Sequence, residues 1–229
     1  NLAAGVFDRR REGHLAPIAA QLAISLENAY LYEHLRFLVD ERTKALREEI
    51  KVRREAEEKL AYLANYDALT GLPNRRLFQQ IFSRSLREAE AGKRMLAVLY
   101  LDLDGFKEVN DTYGHEKGDA VLEESARRLR RSVRNIDTVS RMGGDEFVLL
   151  LPDIEDDEAV EQACERILGE IRRPFPLDEN VTVHLTASIG VSLFPRDSQD
   201  EDSLLTGADQ AMYRIKRGSK DHYSYTRTP

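Results

Sequence analysis

Cysteine is almost missing from this 229-residue chain, where Cys164 stands alone. No intrachain disulfide can therefore staple the fold, and no thiolate cluster can hold a metal. Cys164 falls within a helical pattern and reads as a small buried hydrophobe rather than a reactive thiol. A reducing cytoplasm is the compartment that such usage fits. Long apolar runs are missing too, and no stretch approaches the roughly 20 residues a membrane-spanning helix needs. The N-terminus shows no signal-peptide pattern, and a chain opening on Asn1 is read as a piece of a longer protein. Excess positive charge is also lacking. A net charge of −7 argues against a nucleic-acid partner, which a basic domain would suit. The five histidines show no zinc-like spacing and are assigned no role. What remains, 41% hydrophobic and 33% charged residues, suffices for one soluble domain with a proper core and an extension.

The chain has two regions of different periodicity. From Leu15 to Leu63 there is no glycine, and the only proline is Pro17, at the start where a helix tolerates it. This stretch predicts one very long helix, which cannot bury its apolar stripe without a partner. The row Leu35, Arg42, Glu49, Ala56, Leu63 forms one seam with Val39, Leu46, Arg53, Leu60. The same row forms a second seam with Leu31, Leu38, Ala45, Val52, Lys59, and charged residues interrupt both. Two readings follow: a parallel coiled coil with two nearly equivalent registers, or a plain dimerisation stalk with an imperfect seam. The segment Glu27–Tyr32 is similar to the last helix of GAF-type sensor domains, so residues 1–14 are read as the remnant of an upstream sensor.

From Arg94 onward, strands and helices alternate. The pattern predicts strands over Met95–Leu103 and Glu146–Leu151, and a strand or hairpin over Val181–Phe194. Helices are predicted over Gly118–Arg134, Asp156–Arg172 and Ser203–Arg217. Such alternation implies an α/β sandwich around a central sheet.

Three places carry possible chemistry. Alternation puts Asp102 and Asp104 on one side of a strand end, where a pair of carboxylates would suit a divalent metal or simply terminate the strand. Asn110-Asp111 and Gly118-Asp119 flank a glycine-containing loop that could meet phosphates and a base edge, or serve only as turn and cap residues. Gly143-Gly144-Asp145-Glu146-Phe147 pairs a tight turn with two carboxylates. Magnesium favours such oxygens together with substrate phosphates. The same five residues also fit an ordinary hairpin turn.

Their order decides between these readings. Asp67-Ala68-Leu69-Thr70-Gly71-Leu72-Pro73-Asn74-Arg75-Arg76, then Asp102-Leu103-Asp104-Gly105-Phe106-Lys107, Asn110-Asp111, Arg141 to Phe147, and Ala208 to Tyr213 with Lys216 following, occur in series. This series resembles the GGDEF family of diguanylate cyclases over about Leu63 to Tyr225, with residues 15–63 as the signalling helix and 64–229 as the cyclase domain. The resemblance implies an α/β (α+β) palm-like sheet flanked by helices, as in nucleotidyl cyclases. It implies condensation of two GTP into cyclic di-GMP across a homodimer, in which Asp102, the Leu103 backbone and Asp145 hold Mg2+ or Mn2+. Glu146 would sit beside the metal and the reacting ribose hydroxyl, as the base. Asn110 and Asp119 would read guanine; Lys216, Lys220 and Lys107 would meet phosphates, and Phe106 would pack. Gly143 and Gly144 would admit the nucleotide. At the position of Lys220 the family commonly has arginine, and lysine forgoes the bidentate grip. Arg134 and Asp137 fit the family's product-binding inhibitory pattern. The alternative is a catalytically silent module that senses GTP or cyclic di-GMP, against which the intact 143–147 motif and Asp102 argue. A relative making adenine-containing dinucleotides is a third reading, against which Asp119 argues.

Overall fold

α1 (Arg9–Asn65) is slightly longer at both ends than the sequence predicts, so Pro17 lies inside the helix rather than at its start. The computed structural model describes residues 9–178 and 180–226, so residues 1–8 of the expected sensor remnant lie outside the described residues. The chain divides into two units between Leu60 and Ala61. In the first, Leu31, Leu35, Leu38, Val39, Leu46 and Val52 are all exposed, an apolar set that no described residue covers. No described helix is long and apolar enough to cross a membrane.

In the second unit the elements follow as α2 (Arg75–Gly92), β1 (Met95–Asp104), α3 (Phe106–Tyr113), α4 (His115–Ser132), β2 (Thr138–Gly143) and β3 (Glu146–Ile154). Then come α5 (Asp157–Ile171), β4 (Phe175–Pro176), β5 (Thr182–Val183), β6 (Thr186–Phe194), α6 (Glu201–Lys216) and β7 (His222–Tyr225). The main sheet has the order β2-β3-β1-β6-β7, antiparallel except for the parallel β6/β7 pair, while β4 and β5 form a separate ribbon.

Strand β1 is apolar on both faces because both are covered. Ala97, Leu99, Leu101 and Leu103 pack with Val121, Leu122 and Leu129 of α4 and with Ile167 and Leu168 of α5. Leu96, Val98 and Tyr100 on the other face pack with Phe78 and Phe82 of α2 and with Leu204, Ala208 and Met212 of α6. This α/β arrangement of a central sheet flanked by helices is the expected fold class. Period-two alternation then carries the α2/α6 face on to Asp102 and Asp104 at the strand end.

Two expectations need correction. The predicted strand over Val181–Phe194 is broken at His184-Leu185, which separates β5 from β6. Asn110 and Asp111 lie inside α3 and Gly118-Asp119 inside α4, with Gly114 alone between the helices. What the sequence presents as a phosphate-meeting loop is therefore a sharp helix–helix joint, made possible by Gly114 at φ 84°.

Candidate nucleotide and metal site

The ladder sets the site. In the β1/β3 register Asp102 stands directly opposite Glu146, which brings the two side chains to within about 5 Å at Cβ on one face. The intervening hairpin closes between Gly143, which pairs with Glu146, and the turn residues Gly144 and Asp145. Gly143 and Gly144 have φ values of 144° and 53°, a conformation that disfavours side chains. A Cβ at either position would meet nothing within 4 Å, so the tip is open. The Leu103 N–H donates to the Asp145 carbonyl at 3.3 Å, fixing the turn against the end of β1.

Asp102 is buried, and its Oδ2 accepts a 2.7 Å ion-paired hydrogen bond from Lys216 Nζ of α6. Its Oδ1 has no partner. Burial pushes the Asp102 carboxyl up to about 6, with the Asp145 and Asp104 charges acting in the same direction and Lys216 opposing them. Among the described residues no three His, Cys, Asp or Glu side chains converge as a metal cluster. The donors that fit a hard cation are the orphaned Asp102 oxygen and the Asp145 carboxylate, whose charge Asp102 feels.

Asp104 serves differently from the paired-carboxylate expectation. Its oxygens accept from Thr186 Oγ1 at 2.8 Å, Ser188 Oγ at 2.9 Å and the Asp221 N–H at 3.2 Å. A carboxylate so occupied holds protein rather than metal.

The remaining expected residues surround this cluster or stand apart. Asn110 lies over Gly118, where a Cβ would fall 1.9 Å from the Asn110 Oδ1, so the two halves of the expected guanine reader, Asn110 and exposed Asp119, are neighbours through that contact. Phe106 is buried in the core, as its packing role predicts. Lys107 and Lys220 are exposed. Arg134 and Asp137 lie apart from these residues and bond to each other. Asp137 accepts from the Arg134 backbone N–H and guanidinium, and Arg134 also donates to the Pro152 carbonyl. Arg134 further lines a cavity of about 710 Å³ with Arg131, Arg166 and Arg173.

Sequence reasoning missed three partners. The Tyr100 hydroxyl donates to Glu146 Oε2 at 3.0 Å, and burial together with the Glu146 charge pushes that phenol up. Tyr100 sits two residues before Asp102, so strand alternation could have found it. Arg141 donates to the Gly144 carbonyl and to Asp67 Oδ1 at 2.9 Å, tying the hairpin tip to the turn after α1. Arg166 joins Arg134 only in three dimensions.

A pH prediction follows from Asp102. A carboxyl raised on folding favours the folded state at low pH, and that advantage is lost as pH rises through the folded value. In chelator, the Tm difference of Asp102→Asn minus wild type should therefore rise between about pH 4 and pH 6 and be level above. A flat difference across that window would contradict the burial argument.

Residues 64–222 match the family model described as "Diguanylate cyclase, GGDEF domain". The chain is 39% identical over 211 residues to the bifunctional diguanylate cyclase/cyclic di-GMP phosphodiesterase MucR of Pseudomonas aeruginosa, covering 92% of this chain and 29% of that protein. Across MucR and two further relatives, the chain spans between 27% and 37% of their length. The solved GGDEF domain of TpbB from Pseudomonas aeruginosa superposes with a TM-score of 0.68 at 38% identity, covering 70% of this chain and 99% of that one. The coiled coil and GGDEF domain of DgcB from Caulobacter crescentus, solved in complex with c-di-GMP, gives a TM-score of 0.69 at 30% identity, covering 82% and 98%. A sheet that sets Asp102 against the Gly143–Phe147 hairpin, and a match over most of the chain, make this protein a member of the GGDEF family.

Proposed function

We propose that the chain is a diguanylate cyclase that condenses two GTP molecules into cyclic di-GMP and releases two pyrophosphates. The observation that carries this reading is the opposition of Asp102 and Glu146 in one ladder, with a partnerless Asp102 oxygen beside Asp145. Asp102, the Leu103 backbone carbonyl and Asp145 would hold Mg2+ or Mn2+, which when bound neutralises phosphate charge and acidifies a ribose hydroxyl. Glu146 takes the proton of the attacking 3′-hydroxyl. Its hydrogen bond from Tyr100 aims the carboxylate. Lys216 exchanges its contact with Asp102 for the β- and γ-phosphates, joined by Lys220, while Asn110 and Asp119 read guanine.

Each domain binds one GTP, so two copies must face each other, and geometry between copies governs the rate. The uncovered apolar residues of α1 support pairing as a coiled-coil homodimer, with an upstream sensor acting through that helix. The reading is tested by incubating the protein with GTP or ATP and magnesium and separating the products by chromatography. Cyclic di-GMP from GTP alone supports it. Tight nucleotide binding without product would favour the silent sensing module instead.

Arg134 and Asp137 form the inhibitory product site in this reading. The cavity that Arg134 lines gathers four arginines, a setting for the phosphates of a dinucleotide. Arg134→Ala should raise the cyclic di-GMP concentration needed for half-inhibition by about tenfold or more, the loss of a charge-assisted phosphate contact. Unchanged inhibition in an initial-rate assay would count against it.

A further inference from the structure

Asp104 is a buried carboxylate that the proposed chemistry leaves unused, and its third hydrogen bond leads to a clamp. Between α6 and β7 the chain runs through Lys220 and Asp221, consecutive non-glycine residues with φ values of 27° and 55°. Both lie in the left-handed region, which side chains disfavour, so the surrounding structure must hold them there. The Lys220 N–H donates to the Ile215 carbonyl at 3.2 Å, and the Asp221 N–H to Asp104 Oδ2, also at 3.2 Å. From the other side, Arg172 at the end of α5 sends its Nε–H to both Asp221 carboxylate oxygens at 2.9 and 3.0 Å. The same guanidinium donates from Nη2 to the Asp221 carbonyl at 3.2 Å. Asp221 is thus gripped at its N–H, its carbonyl and its side chain. The ammonium of the preceding residue, Lys220, has no ion-pair partner among the described residues and is exposed. Apart from the Lys220 N–H bond to Ile215, the contacts of the clamp fall on the residue after Lys220, leaving the Lys220 ammonium free for a ligand.

We propose that Arg172, Asp221 and Asp104 are positioning residues that hold Lys220 where it meets the β- and γ-phosphates of the bound nucleotide. This rests on the reading of the site as a GTP site. Arg172 is on a different helix from every residue assigned to the substrate, and no motif in the sequence marks it. Its planar fork serves both a carboxylate and a carbonyl, which a lysine ammonium could not do in the same geometry.

The test is calorimetric binding, with magnesium, of a GTP analogue bearing a methylene bridge between the α- and β-phosphates, so that it binds without turnover. GMP, which lacks the distal phosphates, is the comparison ligand. Arg172→Ala should weaken the triphosphate analogue about tenfold, the scale of one charge-assisted phosphate contact, and leave GMP unchanged. Arg172→Lys should restore only part of the loss. Combined with Lys220→Ala, the Arg172→Ala change should add nothing further, because both act on one contact. Equal weakening of both ligands, or additive effects in the double variant, would show a general structural role and overturn the clamp. So would a Lys220→Ala effect that Arg172→Ala fails to share. Failure of the wild type to bind the analogue would instead remove the reading of the site itself, and the clamp with it.

Discussion

Glu146→Gln should lower the rate of cyclic di-GMP formation by about a thousandfold, within the range that a positioned general base contributes. The amide matches the carboxylate in shape and can still accept from the Tyr100 hydroxyl through its oxygen, so local packing is retained. What it lacks is basicity and charge. Because Glu146 lies in the ladder opposite Asp102, the change subtracts a negative charge from the face of the proposed metal site without moving a backbone atom. Circular dichroism and binding of the methylene-bridged analogue should therefore stay close to wild type while product formation collapses. A rate within tenfold of wild type would remove Glu146 from the role of base.

Gly190→Ala should cause the largest loss of stability of any single methyl addition in the sheet. Gly190 is in β6, paired with Tyr100 of β1 and covered by α6. A Cβ there would lie 1.9 Å from the Ala208 carbonyl oxygen and 2.3 Å from the Met212 nitrogen, both backbone atoms of one helix. No rotamer can relieve such a clash; α6 must lift from β6. Ser192, two residues on, also faces α6, its Oγ 3.5 Å from where a Cβ on Gly207 would lie. The cost should be at least about 3 kcal/mol, above the usual range for overpacking because backbone rather than side chain must yield. For a domain of this size that is a fall in Tm of roughly 10 °C. A Tm within about 2 °C of wild type would refute the close approach. Lifting α6 would also draw Lys216 away from Asp102, so any residual folded protein should bind the nucleotide analogue poorly.

The parts of the fold that were legible in the sequence are those with one dominant signal. Strand β1 announced itself by an unbroken apolar run, and α1 by the absence of breakers. Helix α2 was not read, although Asn74 caps it by accepting from Leu77 N–H and Phe78 and Phe82 lie four apart on its buried face. Helix α3 escaped because its eight residues lie between Gly105 and Gly114 and include Asn110-Asp111, all of them turn formers. Four polar and aromatic residues at a sheet edge gave β7 no pattern to read. Of the site, motif order located the carboxylates and lysines. The partners that aim them were hidden because each depends on register or on helix docking: Tyr100 on Glu146, Arg141 on Gly144, Arg172 on Asp221. The same holds for Asp104, whose sequence position suits a metal and whose actual neighbours are two hydroxyls and an amide.

The two carboxylates meant for one metal stand on supports of unequal stiffness. Asp102 belongs to a strand bonded along both edges and packed on both faces, whose amides can exchange with solvent only when the whole domain unfolds. Asp145 belongs to a two-glycine tip with empty space around it, restrained chiefly through the Leu103 N–H and the Arg141 guanidinium. Deuterium uptake should separate them by orders of magnitude in time. In the proposed metal site β1 is accordingly the fixed jaw and the hairpin the adjustable one.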